Sequence, residues 1–214
     1  MPLPVPPLLA ITDRHLSTLP LPETADRLFA YGVRWLSLRD KDLADADRLA
    51  LARVLLQRAW PWGARITLHG DPALAAEAGV DGVHLPAGSD PAAARALLGP
   101  AALIGLSCHD SDGADLVERV RGAVDYLTLS PVFPSASKPG YGPCLGTSGL
   151  RRWTGLGVPV VALGGIDGAQ AVTDCLAAGA AGVAAMGLAM RGPQALAPLL
   201  GTLSAGGMVP PSCG

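Results

Sequence analysis

The chain has 214 residues, of which 50% are hydrophobic and 16% are charged. This composition supports a sizeable buried core and excludes an intrinsically disordered chain. Lysine and arginine together number 16 against 18 acidic residues, a formal net charge of −2 at pH 7. The chain lacks the basic field that binds a nucleic-acid backbone, so we expect no nucleic-acid partner.

Short apolar runs alternate along the chain with stretches of helical period. The apolar runs predict eight β-strands, at Leu8–Thr12, Arg34–Leu38, Arg65–Leu68, Gly82–Leu85, Leu103–Ser107, Tyr126–Leu129, Val160–Leu163 and Gly182–Met186. The helical stretches include Asp45–Arg58, Pro72–Ala78, Pro91–Leu98, Asp112–Val120 and Ala169–Ala178. A repeated strand-then-helix order implies parallel pairing with right-handed crossovers.

A glycine recurs where a helix ends and the next strand begins, as in Tyr31-Gly-Val-Arg-Trp-Leu and Ala78-Gly-Val-Asp-Gly-Val. Such a glycine is typical of a helix C-cap. Eight strands without a charge break or linker favour an α/β fold with a single (β/α)₈ TIM barrel over an open doubly wound sheet. We predict one domain over residues 1–214, with a core from about 8 to 204 and a frayed tail at 205–214.

Two uncharged segments near the C-terminus raise the question of a membrane span. Segment 175–190 is mostly alanine and glycine and is shorter than the roughly 20 apolar residues that a span requires. Segment 192–214 is interrupted by proline, glycine and serine, so we expect no membrane association. The N-terminus lacks the basic stretch of a secretory signal and the four cysteines lack metal or redox spacing. We therefore expect a cytoplasmic protein with reduced thiols.

Two glycine-containing loops predict an anion site. Gly164 and Gly165 follow predicted strand 7, and Met186 and Gly187 come at the end of predicted strand 8. Bare backbone N–H groups there can approach a phosphate, and TIM barrels often bind phosphate between these two loops. A plain tight turn with close packing would use the same glycines, and that alternative stays open.

Cations and hydroxyls follow other strands on the same face of the barrel. Arg39 and Lys41 come after predicted strand 2, and Ser135, Ser137 and Lys138 come after predicted strand 6. Three cations and two hydroxyls around one cup suit a phosphate or diphosphate ester. Each charge taken singly is also compatible with a solvated surface.

The histidines differ in position. His69 directly follows predicted strand 3 and is the first candidate for proton transfer, because imidazole titrates near neutral pH. An ordinary hydrogen-bonded loop histidine would occupy the same place. His109, two residues after the candidate ligand residue Ser107, is the second candidate. His84 lies inside strand 4, where simple packing explains it, and His15 is expected to be exposed. No His pair or Cys/His quartet has zinc spacing, so we expect no protein-held zinc.

These segments, taken in order from Leu8 to Met190, resemble the thiamine phosphate synthase and thiazole tautomerase family of barrels. The resemblance is carried by Ala10-Ile-Thr-Asp13, Leu36-Ser-Leu-Arg39-Asp-Lys41, Asp81-Gly-Val-His-Leu85, Ile104-Gly-Leu-Ser107-Cys-His109, Asp125-Tyr-Leu-Thr-Leu-Ser-Pro-Val-Phe-Pro134, Ser137-Lys138 and Val160-Val-Ala-Leu-Gly-Gly-Ile166. It implies a barrel that binds the phosphate of a hydroxyethylthiazole at the loops after strands 7 and 8. The implied ligand is a phosphorylated heterocycle, and homo-oligomerisation stays open.

The resemblance implies different metal chemistry in the two branches of the family. Synthases carry Gln-Leu-Arg after strand 2, Asn-Asp after strand 3 and an acidic residue shortly after the His-Leu of strand 4. The two acidic groups hold the magnesium that neutralises a pyrimidine diphosphate. Here those positions read Ser37, His69-Gly70 and Ser89. The metal clamp is lost unless Asp71 or Asp90, each one residue displaced, takes over.

The tautomerase branch shifts a proton on a thiazole carboxylate phosphate and needs no metal. Gly70 and the segment Leu85-Pro-Ala-Gly-Ser89 resemble that branch, but its histidine beside strand 6 is Pro131 here. We therefore expect a tautomerase-type barrel without a cofactor, in which His69 transfers the proton. Two alternatives stay open. One is a divergent synthase that joins pyrimidine diphosphate to thiazole phosphate with magnesium at Asp71 or Asp90. The other is a non-catalytic phosphate-binding or regulatory descendant.

Overall fold

The computed structural model describes residues 1–135 and 143–206 of the chain. Its strands form one closed parallel barrel in chain order, in which each strand pairs with the next and the last pairs with the first. The strands are β1 Leu8–Ile11, β2 Trp35–Leu38, β3 Arg65–His69, β4 Gly82–Leu85, β5 Leu103–Cys108, β6 Tyr126–Leu129, β7 Val160–Leu163 and β8 Gly182–Ala185. The predicted TIM barrel is confirmed.

Helices connect the strands on the outside of the barrel. They are α1 Leu21–Ala30, α2 Asp45–Ala59, α3 Pro72–Ala78, α4 Pro91–Leu98, α5 Ala114–Val120, α6 Gly146–Thr154, α7 Ala169–Ala177, α8 Gly187–Met190 and α9 Pro193–Gly206. Two 3-10 helices, Trp60–Trp62 and Asp110–Asp112, lie before β3 and α5. In the described part of the chain, no helix combines the length and hydropathy needed to cross a membrane.

Local sequence explains where several helices begin and end. Asp71 and Asp90 each precede a proline and cap α3 and α4 through their side chains. A proline in the first turn has no N–H to leave unpaired and is already in helical geometry. After α3, Gly79 takes the left-handed conformation with φ +70°, which glycine adopts without strain.

Several predicted strands and helices have the predicted bounds, and the ends of the others differ by one or two residues. Thr12 and Met186 lie just beyond β1 and β8, whereas His69 lies inside β3. The helix predicted from Asp112 begins at Ala114, because Gly113 at φ +72° separates it from the preceding 3-10 helix. Of the predicted frayed tail, residues 205 and 206 belong to α9, and 207–214 lie outside the described residues.

The barrel interior is filled near the amino-terminal ends of the strands. A cluster there contains Leu9, Trp35, Leu103, Tyr126 and Val161, and it extends to Ile11 and Ala184 towards the carboxyl ends. Trp35 and Tyr126 meet edge to face with ring centroids 4.7 Å apart. Gly105 makes room for Tyr126, because a Cβ at residue 105 would overlap the tyrosine ring. This plug leaves the carboxyl ends of the strands as the place for a cavity.

Candidate functional site

A cavity of about 530 Å³ lies at the carboxyl ends of the strands. Its size is that of a small-molecule site. All eight strands contribute to its wall, through Ile11, Ser37, His69, His84, Ser107, Thr128, Leu163 and Ala184, among others. The loops that follow the strands complete the wall, so this is the candidate functional site.

The cavity brings together most of the site residues predicted from the sequence. The lining includes Arg39, Lys41, His69, Ser107, His109, Ser135, Gly164, Gly165, Met186 and Gly187. Their functional roles stay predictions. Ser137 and Lys138 lie outside the described residues. Asp71 and Asp90 are described but are not among the residues that line the cavity.

A buried hydrogen-bond network fixes the loop that carries Arg39. The Thr12 hydroxyl donates to Asp40 Oδ2 at 2.6 Å and accepts from the Arg39 backbone N–H at 2.8 Å. Asp40 Oδ1 in turn accepts from the Arg14 backbone N–H at 2.7 Å. The Arg39 side chain reaches past β1 to the end of β8, where its Nη1 lies 3.9 Å from the Met186 sulfur. These hydrogen bonds fix the backbone at Arg39, and its side chain lines the cavity.

His69 presents an unpartnered nitrogen at the cavity. The residue is 7% exposed, and its Nε2 has no hydrogen-bond partner within the described structure. Its backbone carbonyl accepts from Arg48 Nη2 at 2.8 Å, which fixes the end of β3. A buried polar atom without a partner is uncommon in proteins, and such an atom usually binds a ligand or a water molecule.

His84 is held on all sides by neighbouring strands. Its Nδ1 lies 2.9 Å from the Tyr126 hydroxyl, and its Nε2 lies 2.9 Å from Ser107 Oγ and 3.2 Å from Thr128 Oγ1. His84 therefore does more than pack inside β4, as its sequence position alone would explain. Its hydrogen bonds orient Ser107 at the cavity wall.

Both buried imidazoles are neutral at physiological pH. Burial lowers the pKa of His69 to about 3, assisted by His84 and by the positive charges of Lys41, Arg39 and Arg48. Burial also lowers the pKa of His84 to about 3, again assisted by Lys41 and Arg39. His69 in the unliganded protein therefore titrates well below neutral pH, and its role in proton transfer stays a prediction. His69 and His84 thus form a neutral polar floor of the cavity. Arg39 and Lys41 form a positively charged rim around it.

Close packing explains the glycines after β7. Gly164 and Gly165 have φ of +97° and +67°. A Cβ on Gly164 would lie 3.1 Å from Pro131, and one on Gly165 would overlap the backbone of Phe133 and Pro134. The loop after β6 is bound there, since Phe133 N–H donates to Gly164 O at 3.0 Å. Gly187, by contrast, begins α8 beside open space. Glycine after β7 is thus required with or without an anion.

The described residues do not fit a magnesium ion of the kind the resemblance implies. Asp71 Oδ1 accepts from the N–H groups of Ala73 and Leu74, and Asp90 Oδ1 accepts from those of Ala92 and Ala93. Both carboxylates therefore cap helices and are not among the described residues that line the cavity, and their role as alternative metal ligands stays a prediction. Within residues 1–135 and 143–206, no group of three His, Cys, Asp or Glu side chains could hold a metal ion. The intervening segment 136–142 contains none of these residue types.

Sequence reasoning missed two charged residues of the cavity wall. Asp167 follows β7, and Arg191 follows the single turn of α8. Both come several residues after a strand, beyond the loop positions that the barrel pattern singles out. Asp167 is the one carboxylate among the described lining residues, against three cations.

The fold and the cavity define a (β/α)₈ barrel with a small-molecule site at the carboxyl ends of its strands. The sequence profile of the family described as thiamine monophosphate synthase matches residues 8–188. The chain belongs to this family, as its sequence resemblance predicted.

Individual relatives agree with this membership. A protein of Geobacter sulfurreducens named "Putative thiamine-phosphate synthase" is 41% identical over 190 residues, covering 87% of this chain and 88% of that protein. The thiamine-phosphate synthase of Marinobacter nauticus is 37% identical over 187 residues, covering 85% of this chain and 82% of that protein. The solved structure of a thiamine phosphate pyrophosphorylase from Pyrococcus furiosus superposes with a TM-score of 0.78 at 24% identity, covering 94% of this chain and 96% of that one. That structure supports the fold.

Proposed function

We propose that this chain acts in thiamine biosynthesis as a thiamine-phosphate synthase, which joins a pyrimidine diphosphate to a thiazole phosphate. The observation that carries the proposal is the convergence of the cations Arg39 and Lys41 with the β7 and β8 loops around one cavity. The relatives named thiamine-phosphate synthase support this activity over the tautomerase that the sequence analysis placed first. The proposal includes a cytoplasmic location.

Different parts of the cavity wall suit different groups of the two substrates. Joining the two rings releases the diphosphate, and its growing negative charge needs positive partners. Arg39 and Lys41 are placed to supply them. The thiazole phosphate would lie against the loops of Gly165 and Gly187. The neutral floor made by His69 and the other polar strand residues suits uncharged heteroaromatic rings, since a neutral imidazole can donate or accept one hydrogen bond per nitrogen.

A second candidate function is proton transfer on a thiazole phosphate. The unpartnered, buried Nε2 of His69 favours it, because that nitrogen can contact a ligand directly. Pro131 lines the same cavity and provides no acid or base there. A low pKa weakens His69 as a base in the unliganded protein. The nearby anion of a bound ligand would counter that effect by stabilising the protonated ring.

One set of incubations separates these functions. The full chain is incubated with pyrimidine diphosphate and thiazole phosphate, in one arm with Mg²⁺ and in the other with EDTA. A parallel arm contains the thiazole carboxylate phosphate alone, and products are followed by NMR. Formation of thiamine phosphate in either arm supports the synthase. Isomerisation without coupling favours proton transfer, and binding without turnover favours the non-catalytic alternative.

The matched variants Arg39→Gln and Arg119→Gln test whether the cavity carries the activity. Each removes one positive charge, but Arg119 is exposed on α5 and does not line the cavity. We expect a large loss of coupling for Arg39→Gln and wild-type coupling for Arg119→Gln. Equal activity of the two variants would reject the assignment of this cavity.

A further inference from the structure

The charges on the cavity wall are unbalanced. Arg39, Lys41 and Arg191 line the cavity, and Asp167 is the one acidic residue in the described lining. A cluster of cations facing a common space attracts an anion and is unfavourable without one. The site is therefore built for a ligand that carries negative charge.

Two of the cations lie next to the loop after β8, although they come from opposite ends of the chain. Arg39 Nη1 is 3.9 Å from the sulfur of Met186, the residue that directly precedes Gly187. A thioether is a weak acceptor and neutralises no charge. Arg191 closes the single turn that begins at Gly187, with its N–H donating to Gly187 O at 3.2 Å. Arg39 and Arg191 therefore both line the part of the cavity wall formed by the loop after β8.

The positive charge acts on the interior of the cavity. Lys41 and Arg39 contribute, after burial, to the lowered pKa of His84, which lies on the floor in β4. Charges that influence a buried ring at this position also act on a ligand placed between them and the ring.

We propose that Arg39, Lys41 and Arg191 together neutralise the anionic groups of the ligand without a divalent cation, and that Arg191 is a binding residue of this site. The positions where the family pattern has metal-binding carboxylates are Gly70 and Ser89 here. The neighbouring Asp71 and Asp90 cap α3 and α4. The anion is a phosphate ester or a diphosphate. Its identity as a diphosphate rests on the proposed function.

Calorimetric titration of the full chain with inorganic pyrophosphate tests the proposal without requiring turnover. One titration contains EDTA and the other contains Mg²⁺. We expect binding in EDTA, and equal or weaker apparent affinity with Mg²⁺, because the metal complexes free pyrophosphate in solution. Binding that appears only with Mg²⁺, or no binding in either titration, would overturn the proposal.

The variants Arg191→Gln and Arg119→Gln form the matched pair for Arg191. Loss of a charge-assisted hydrogen bond is expected to weaken pyrophosphate binding about tenfold or more in Arg191→Gln. An exposed charge away from the cavity should change it by less than about twofold. Circular dichroism checks that both variants fold. Wild-type affinity in Arg191→Gln would remove Arg191 from the site.

The result of the pyrophosphate titration can be distinguished from the result of the coupling reaction. Pyrophosphate binding in EDTA without thiamine phosphate formation would leave this inference standing and reject the proposed function. Coupling that requires Mg²⁺, together with pyrophosphate binding that requires Mg²⁺, would support the function and reject the inference.

Discussion

His69 and His84 are neighbours across β3 and β4, with ring centroids 5.4 Å apart and planes inclined by 33°. The two rings have opposite environments. Every nitrogen of His84 has a partner on the wall, whereas Nε2 of His69 has none in the described structure. His84 is therefore fixed by its neighbours, whereas Nε2 of His69 is available to a ligand.

Burial of this pair makes the protein sensitive to acid. Because the folded-state pKa of His84 is lowered to about 3, the unfolded chain binds the proton first as pH falls below about 6.5. The free energy of unfolding should therefore decrease between about pH 6.5 and pH 3, by at most about 1.4 kcal/mol per pH unit for each ring. Urea unfolding from pH 4 to 7 measures this slope. His84→Gln should show a shallower slope than wild type, and parallel curves would contradict the assignment.

Gly165→Ala should destabilise the protein, whereas Gly168→Ala should not. Gly165 has φ +67°, and a Cβ there would overlap the backbone of Pro134. Gly168 is extended at φ −159° and faces open space. We expect a loss of at least about 2 kcal/mol for the first variant and less than about 1 kcal/mol for the second. Equal midpoints in urea unfolding would reject the close approach of the β6 loop to Gly165.

Tyr126→Phe should cost about 1 to 3 kcal/mol of stability, because it leaves a buried nitrogen of His84 without its partner at 2.9 Å. Tyr31→Phe is the matched control, since Tyr31 is 45% exposed at the end of α1. It should change stability by less than about 0.5 kcal/mol. Thermal or urea unfolding compares the two variants. A neutral Tyr126→Phe would show that the hydroxyl does not support His84.

His69→Ala tests the proton-transfer candidate. If the chain is a tautomerase, turnover should fall by about 10² to 10⁴, the usual contribution of a general acid or base, with phosphate affinity nearly unchanged. His109→Ala should cost less, because His109 lies farther along the wall, after β5. Initial rates and calorimetry measure the two effects. Undiminished turnover in His69→Ala would reject the role.

The barrel could be predicted from the sequence because its strands are short, mainly apolar runs and glycines follow several of the helices between them. The caps at Asp71 and Asp90 are also recognisable in the sequence, as Asp-Pro pairs at the starts of predicted helices. The network of His84 could not be predicted. It depends on the barrel register, which brings Tyr126 and Thr128 of β6 beneath a histidine of β4.

The place of Arg191 in the cavity wall could not be predicted either, because it also depends on the tertiary structure. Nothing in its local sequence distinguishes it from a solvated arginine, and only the short turn of α8 returns it to the cavity. The sequence indicates Gly164 and Gly165 as special positions but does not distinguish anion binding from close packing. The structure shows that close packing requires both glycines.

A crystal structure of the full chain with a thiazole phosphate would show directly where the ligand binds. We expect the phosphate in the cavity, against the backbone N–H groups near Gly165 and Gly187, with Arg39 and Arg191 in contact with it. Phosphate density at another surface, with the cavity empty of ligand, would contradict the account.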